Sequence, residues 1–333
     1  MPSQELNVDD LPDSFASWLA AIPTAPGSLG WRAAAASLLE SAAFKPGNVH
    51  PAAGFDDLQH DDFMAAALAI ARPFNTLQQP DSHRGEPQPL GRVILAAVTA
   101  AATATRSNAN LGIVLAMAPL AAAALPLEEH LPQVLASLDS SDAETIWRAI
   151  AIAQPGGLGR VAEHDLAGPP PENILEAMRL ARERDAIARL WSDDYAPLFS
   201  RDAREPGMVM LLEDALSAGL PAAAAIQRAF LDHLALHTDS LIRRRHGEAV
   251  AAEVSREAAA IRQRPPQEQP AAIGRFDARL RAGSLHNGRL RPINPGTTAD
   301  LVAAALFVLL RGGWSLDGSA VARNLNATPS EVI

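Results

Sequence analysis

Cysteine is missing from this 333-residue chain. Disulfides, thiolate metal sites and cysteine nucleophiles are therefore excluded. Lysine is almost missing as well: Lys45 is the only one, and every other permanent cation is an arginine. Positive charge as a whole is short, with 28 Lys and Arg against 38 Asp and Glu and a formal net charge of −10. That balance argues against nucleic acid or an anionic membrane as partner, because both need a basic footprint. It leaves room for a local cationic pocket around one small polyanion. The opening "MPSQELNVDDLPDSF" is acidic and lacks the cationic start and apolar block of a secretory signal. The apolar run "LGIVLAMAPLAAAALPL", Leu111 to Leu127, is short for a membrane span, rich in alanine and interrupted by Pro119. It reads as a buried core helix, so the expectation is a soluble, cytoplasmic protein for which a homo-oligomer remains open.

What the chain does contain is alanine, with apolar residues recurring at intervals of three and four and almost no β-branched alternation. The expected fold class is all-α: a single large multi-helix bundle domain over 29–320, with a loosely tied lead-in over 1–28 and a tail over 321–333. Helices are predicted near 29–43, 61–71, 89–105, 108–125, 141–153, 171–191, 207–218, 221–246, 248–262, 273–282 and 297–310. Pro73 is expected to stop the second, and "SDAE" at 141–144 to open the fifth as a capping box. "RQRPPQEQPAA" reads as an exposed loop.

In a helical protein, chemistry concentrates in polar loops at helix ends. "KPGNVHPAAGFDDLQHDD" brings Lys45, Asn48 and His50 ahead of Asp56, Asp57, His60, Asp61 and Asp62. An ammonium suits phosphate as a point charge, and grouped carboxylates suit Mg²⁺; capping of the next helix is the plainer reading of the acids. In "SNANLGIV", Asn108 and Asn110 precede a helix whose free amides could meet phosphate or ribose, or they simply cap it. "GGLGRVAEHD" combines close-approach glycines with Arg160, Glu163, His164 and Asp165, a possible clamp, base and metal ligand. "HTDSLIRRRHG" sets Asp239, Arg243 and His246 along one helical stripe. "NPGTTAD" offers Thr297 as a cap, with Asp300 three residues later.

In this order, "KPGNVH", "FDDLQHDDF", "SNANLGIVLAMAPL", "PGGLGRVAEHD", "HTDSLIRRRHG" and "NPGTTADLVAAALF" resemble the triphosphoribosyl-dephospho-CoA synthase family from about Trp31 to Leu310. The resemblance implies an all-helical transferase that moves the triphosphoribosyl group of ATP to the ribose 2′-hydroxyl of 3′-dephospho-CoA. Adenine leaves, and the product becomes a prosthetic group of acyl carriers. Where better-known members carry Asn-Thr-His-Lys/Arg-Gly, this chain has Asn108-Ala109-Asn110-Leu111-Gly112. Their Gly-Glu-Ala-Glu is replaced by Arg160 to Asp165, which leaves a related acceptor open.

For that chemistry the phosphate-binding candidates are Lys45, Asn48, Asn108, Asn110, Arg160, Arg243 and His246. Asp57, Asp61, Asp165 and Asp239 are the candidates for Mg²⁺, and Glu163 or His164 for the base that takes the acceptor's proton. Two other readings compete. His60-Asp61 and His164-Asp165 suggest a metal-dependent phosphohydrolase of the His-Asp type, and the third reading is a non-catalytic nucleotide-binding helical protein.

Overall fold

The computed structural model describes residues 5–6, 10–78, 88–105, 110–153, 169–286 and 289–316. The chain is all-α. In order come α1 (Phe15–Ala20), α2 (Leu29–Ala42), α3 (His60–Asn75), α4 (Leu90–Ala104), α5 (Leu111–Ala122) and α6 (Leu127–Ala136). Next are α7 (Ser140–Ala153), α8 (Ile174–Ala181), α9 (Ala186–Ser192), α10 (Ala196–Phe199), α11 (Met208–Ser217) and α12 (Ala222–Leu236). The last four are α13 (Ser240–His246), α14 (Glu248–Arg262), α15 (Gln269–Ala282) and α16 (Gly296–Arg311). The described strands are short. β1 (Glu5–Leu6) pairs in parallel with β4 (Ser315–Leu316), and β2 (Ser284–His286) pairs antiparallel with β3 (Arg289–Arg291).

Composition explains the packing. α2 is sandwiched between α3 and α16, and its Ala33, Ala34, Ala35 and Ala36 are wholly buried. Side chains this small let helices approach closely on both sides. α16 and α5 are enclosed nearly all round, as helices without a polar face must be. Pro119 inside α5 has no N–H, so it leaves the Leu115 carbonyl without its helical donor. Trp191 Nε1 donates to that oxygen at 3.0 Å and Tyr195 Oη at 3.2 Å, anchoring the α9–α10 corner on the defect. No single described helix is long and apolar enough to cross a membrane.

Several boundaries differ from the expectations, each for a local reason. α3 runs through Pro73 to Asn75. A proline in the last turn forfeits one bond, while Phe74 is fully buried and meets Phe307 edge-on, ring centroids 6.5 Å apart. The helices expected over 171–191 and 221–246 are each broken in two. Asp185 accepts from Ile187 N at 2.9 Å and Ala188 N at 3.0 Å, starting α9 afresh, and Asp239 does the same for α13. α7 is opened by Asp139 rather than Ser141, since Asp139 Oδ1 accepts from Asp142 N at 2.9 Å and Asp142 Oδ2 accepts from Asp139 N at 3.4 Å. The expected loop at 262–272 is largely helical, with Pro270 in the first turn of α15, where proline is tolerated. In the lead-in, Leu11, Phe15, Leu19 and Ile22 join the common core. The tail over 321–333 lies outside the described residues.

Candidate active site

Lys45 turns back onto the end of its own helix. Its Nζ lies 3.0 Å from Glu40 Oε1 and donates to the Ala43 carbonyl at 3.0 Å and to the Glu40 carbonyl. Both side chains are buried. Burial pushes the lysine down and the glutamate up, and each charge partly offsets the other's shift. The ammonium is thus committed to protein acceptors and not presented to an incoming phosphate. Gly47 follows at φ +72°, where an added Cβ would meet Leu280 Cδ1 at 2.7 Å. Gly47 N donates to Asp277 Oδ1 at 2.8 Å, and Arg281 donates to the Asn48 carbonyl at 2.6 Å. Asn48 Nδ2 donates to Asn294 Oδ1 at 3.1 Å. The Lys-Pro-Gly-Asn turn is therefore clamped between α2, α15 and the approach to α16.

His50 packs edge-on against Phe44 and is held down at about 4, first by burial and then by the Arg281 charge. His60 lies against Trp18 and is lowered mainly by burial. Asp57 and Asp61 are exposed and accept no hydrogen bond from any described residue. No group of three His, Asp or Glu among the described residues could hold a metal ion. The protein alone does not build a magnesium cage there, but two uncommitted carboxylates suit an ion that keeps substrate phosphates among its ligands.

Asp239 is different. Its Oδ1 accepts from Leu241 N at 2.9 Å and Ile242 N at 3.0 Å, and its Oδ2 from Thr298 N at 2.7 Å and Thr298 Oγ1 at 2.8 Å. Four donors fill a carboxylate's capacity, so Asp239 joins α13 to α16 and has no lone pair left for a metal. Ser240 Oγ donates to Thr297 Oγ1 at 3.1 Å, which makes Thr297 part of this joint and not a cap. His246 is likewise committed, with Nε2 at 3.1 Å from the Pro292 carbonyl and Nδ1 at 2.9 Å from Ser284 Oγ. Arg243 donates to the Glu183 carbonyl and lies 3.8 Å from Glu248. Neither the histidine nor Arg243 stands free for phosphate.

One turn beyond this joint lies Asp300, which sequence reasoning left as an accessory to a cap. It makes no hydrogen bond with any described residue and keeps partial solvent access. Enclosure by protein, then the charges of Glu40, Asp239 and Asp185, push its carboxyl well above the usual range; Arg244 opposes them weakly. Its carboxylate abuts Gly112 in the first turn of α5, where an added Cβ would overlap Oδ2. Asn110, which opens α5, is buried; its Nδ2 donates to Ser37 Oγ at 3.3 Å and its Oδ1 has no partner. The N-cap residue of α5 makes no side-chain cap, whereas at α16 the Thr298 amide is taken up by Asp239. The uncapped start of α5, an unpaired amide oxygen and a carboxyl raised above its usual range thus converge.

Of the residues singled out in the sequence, Asn110 and Asp239 sit around this point, Asn48 is tied to Asn294 on the approach to α16, and Lys45 pairs with Glu40, whose charge acts on Asp300. Asn108, Arg160, Glu163, His164 and Asp165 lie outside the described residues. Glu40, Gly112, Asp185, Arg244 and Asp300 were not singled out for chemistry. No sequence signal set Asp300 apart, since three residues after Thr297 it reads as the acid of a capping box.

Enclosed acids meeting an uncapped helix start inside a helical bundle have the build of a small-molecule enzyme site. The chain belongs to the ATP:dephospho-CoA triphosphoribosyl transferase (CitG) family, whose sequence model matches residues 26–318. A crystal structure of a candidate triphosphoribosyl-dephospho-CoA synthase from Archaeoglobus fulgidus has the same fold at 20% identity and a TM-score of 0.54. That match covers 75% of this chain and 99% of the other. No protein of curated function matches. The protein is accordingly a transferase of that family, and the phosphohydrolase and non-catalytic readings are not favoured.

Proposed function

We propose that the protein transfers the triphosphoribosyl group of ATP to the 2′-hydroxyl of 3′-dephospho-CoA, or of a related acceptor, with adenine leaving at Asp300. The observation that carries this reading is the un-hydrogen-bonded Asp300 carboxyl beside Gly112 and Asn110. A carboxyl raised well above its ordinary value holds a proton that it can donate. Adenine is a poor leaving group as an anion and a good one when protonated. The unpaired Oδ1 of the buried Asn110 suits the base, because it can accept from the amino group of adenine and leave N7 to the Asp300 proton.

The C1′–N9 bond breaks with its electron pair going to adenine, which takes the Asp300 proton. The sugar passes through an oxocarbenium-like state. The acceptor hydroxyl forms the new bond to C1′ and gives its proton to Glu163 or His164. The ionised Asp300 then faces the developing positive charge and stabilises it. Magnesium held by Asp57 and Asp61 with phosphate oxygens, Asp165 being a further candidate, would neutralise charge on the triphosphate. Arg160 and Asn108 complete the set proposed from the sequence. The buried Glu40–Lys45 pair and Asn48 act at one remove, fixing the turn that precedes the two acids.

Incubation with ATP, Mg²⁺ and dephospho-CoA, followed by chromatography of free adenine, tests the reading. Acceptor-dependent release of adenine is expected. Phosphate release without adenine, across several acceptors, would overturn it.

A further inference from the structure

α13 carries three consecutive arginines, and two are committed. Arg243 is engaged with Glu183 and Glu248, and Arg244 with Asp185 and Ser240. Arg245 is partly buried yet makes no hydrogen bond or ion pair with any described residue. The next residue, His246, reaches across to the β2–β3 hairpin and holds it at two points. One is Ser284, the cross-strand partner of Arg291, and the other is the Pro292 carbonyl, one residue further on. The histidine therefore pins Arg291 from both sides next to Arg245. The charges of Asp57, Arg244 and Arg291 all act on Arg245.

Holding like charges together in a partly enclosed place is unfavourable unless an anion joins them. Guanidinium groups pair with phosphate through two parallel hydrogen bonds, and several adjacent ones suit a chain of phosphates better than a single one. Arg244 connects this group to the acidic floor, since its charge acts on both Arg245 and Asp300. A nucleotide whose base leaves at Asp300 would extend its phosphates this way.

We propose that Arg245 and Arg291, backed by Arg244, form the subsite that grips the polyphosphate tail of the nucleotide. Asp57, whose charge acts on Arg245, is a carboxylate available to a phosphate-bound divalent cation. This deepens the proposed function and rests on it. It also transfers to Arg245 the phosphate role that the sequence suggested for Arg243 and His246.

The test is calorimetric titration of the full chain with inorganic tripolyphosphate in Mg²⁺, alongside steady-state kinetics with ATP. Loss of a charge-assisted hydrogen bond by Arg245→Gln should weaken tripolyphosphate binding by about tenfold or more. The KM for ATP should rise in parallel, with kcat at saturation little changed. Arg245→Lys should recover part of the binding, and Arg291→Gln, at an exposed position, should lose less than Arg245→Gln. If Arg245→Gln and Arg245→Lys, with wild-type circular dichroism, bind tripolyphosphate as the parent does, the subsite is wrong. If the arginine variants lose tripolyphosphate binding while the parent releases no adenine from ATP, the subsite stands and the proposed reaction falls.

Discussion

Gly112 and Asp300 lie so close that no β-carbon fits between them. Gly112 comes from the first turn of α5 and Asp300 from just beyond the first turn of α16, both largely enclosed helices, so neither backbone can easily retreat. The obstructed atom is the end of an aspartate side chain, which can rotate away. Gly112→Ala should therefore fold with near-parental thermal stability and lose adenine release by about 10²-fold or more, the usual contribution of a positioned acid. A crystal structure should show the carboxylate turned out of its place. Full activity in a well-folded Gly112→Ala would mean that the position of Asp300 is irrelevant to turnover.

Asp300 should also cost the protein stability, in a way that depends on pH. Its folded carboxyl titrates above the unfolded value, so the folded state retains a proton that the unfolded chain has released. Stability from this source is complete below the unfolded value and is lost as pH rises through the folded one. Asp300→Asn removes the dependence. Its melting temperature should exceed the parent's by a larger margin at about pH 8 than at about pH 5, as expected where an active-site acid is kept against stability. Equal margins at the two pH values would place the Asp300 carboxyl in an ordinary environment.

Lys45 is the single lysine of the chain, and the structure explains it without a ligand. A fully buried ammonium meets three acceptors in the tight space at the end of α2, where the broader guanidinium of arginine would not fit. Lys45→Met leaves Glu40 buried and unpaired, which costs about 3–5 kcal/mol for a pair of this kind. Adding Glu40→Gln should restore much of that loss in denaturant titrations. A double variant no more stable than Lys45→Met would show that the two residues are not coupled.

Much of the bundle was legible because helix-forming residues with apolar spacing carry their own signal, as at Glu248–Arg262. The misplaced boundaries depend on context. Pro73 and Pro270 are helix breakers only away from a terminal turn, and Asp185 and Asp239 look like ordinary helix surface until their caps are seen. The site was less legible for a similar reason. Its motifs could be read one by one, but the state of Asp300 is set first by burial and then by the charges of Glu40, Asp239 and Asp185, which come from three separate segments. Likewise, choosing Arg245 over Arg243 requires knowing which of two neighbouring arginines already has a partner.

The proposed reaction turns on a proton passing from Asp300 to adenine. Single-turnover adenine release by the parent and Asp300→Asn, measured with ATP and with 7-deaza-ATP, whose base cannot be protonated at N7, tests this most directly. With ATP the variant should be slower by about 10²-fold or more. With the deaza nucleotide the parent should fall close to the variant, because the acid then has no N7 to serve. An Asp300→Asn enzyme that releases adenine from ATP at nearly the parental rate, or a parent indifferent to the loss of N7, would contradict it.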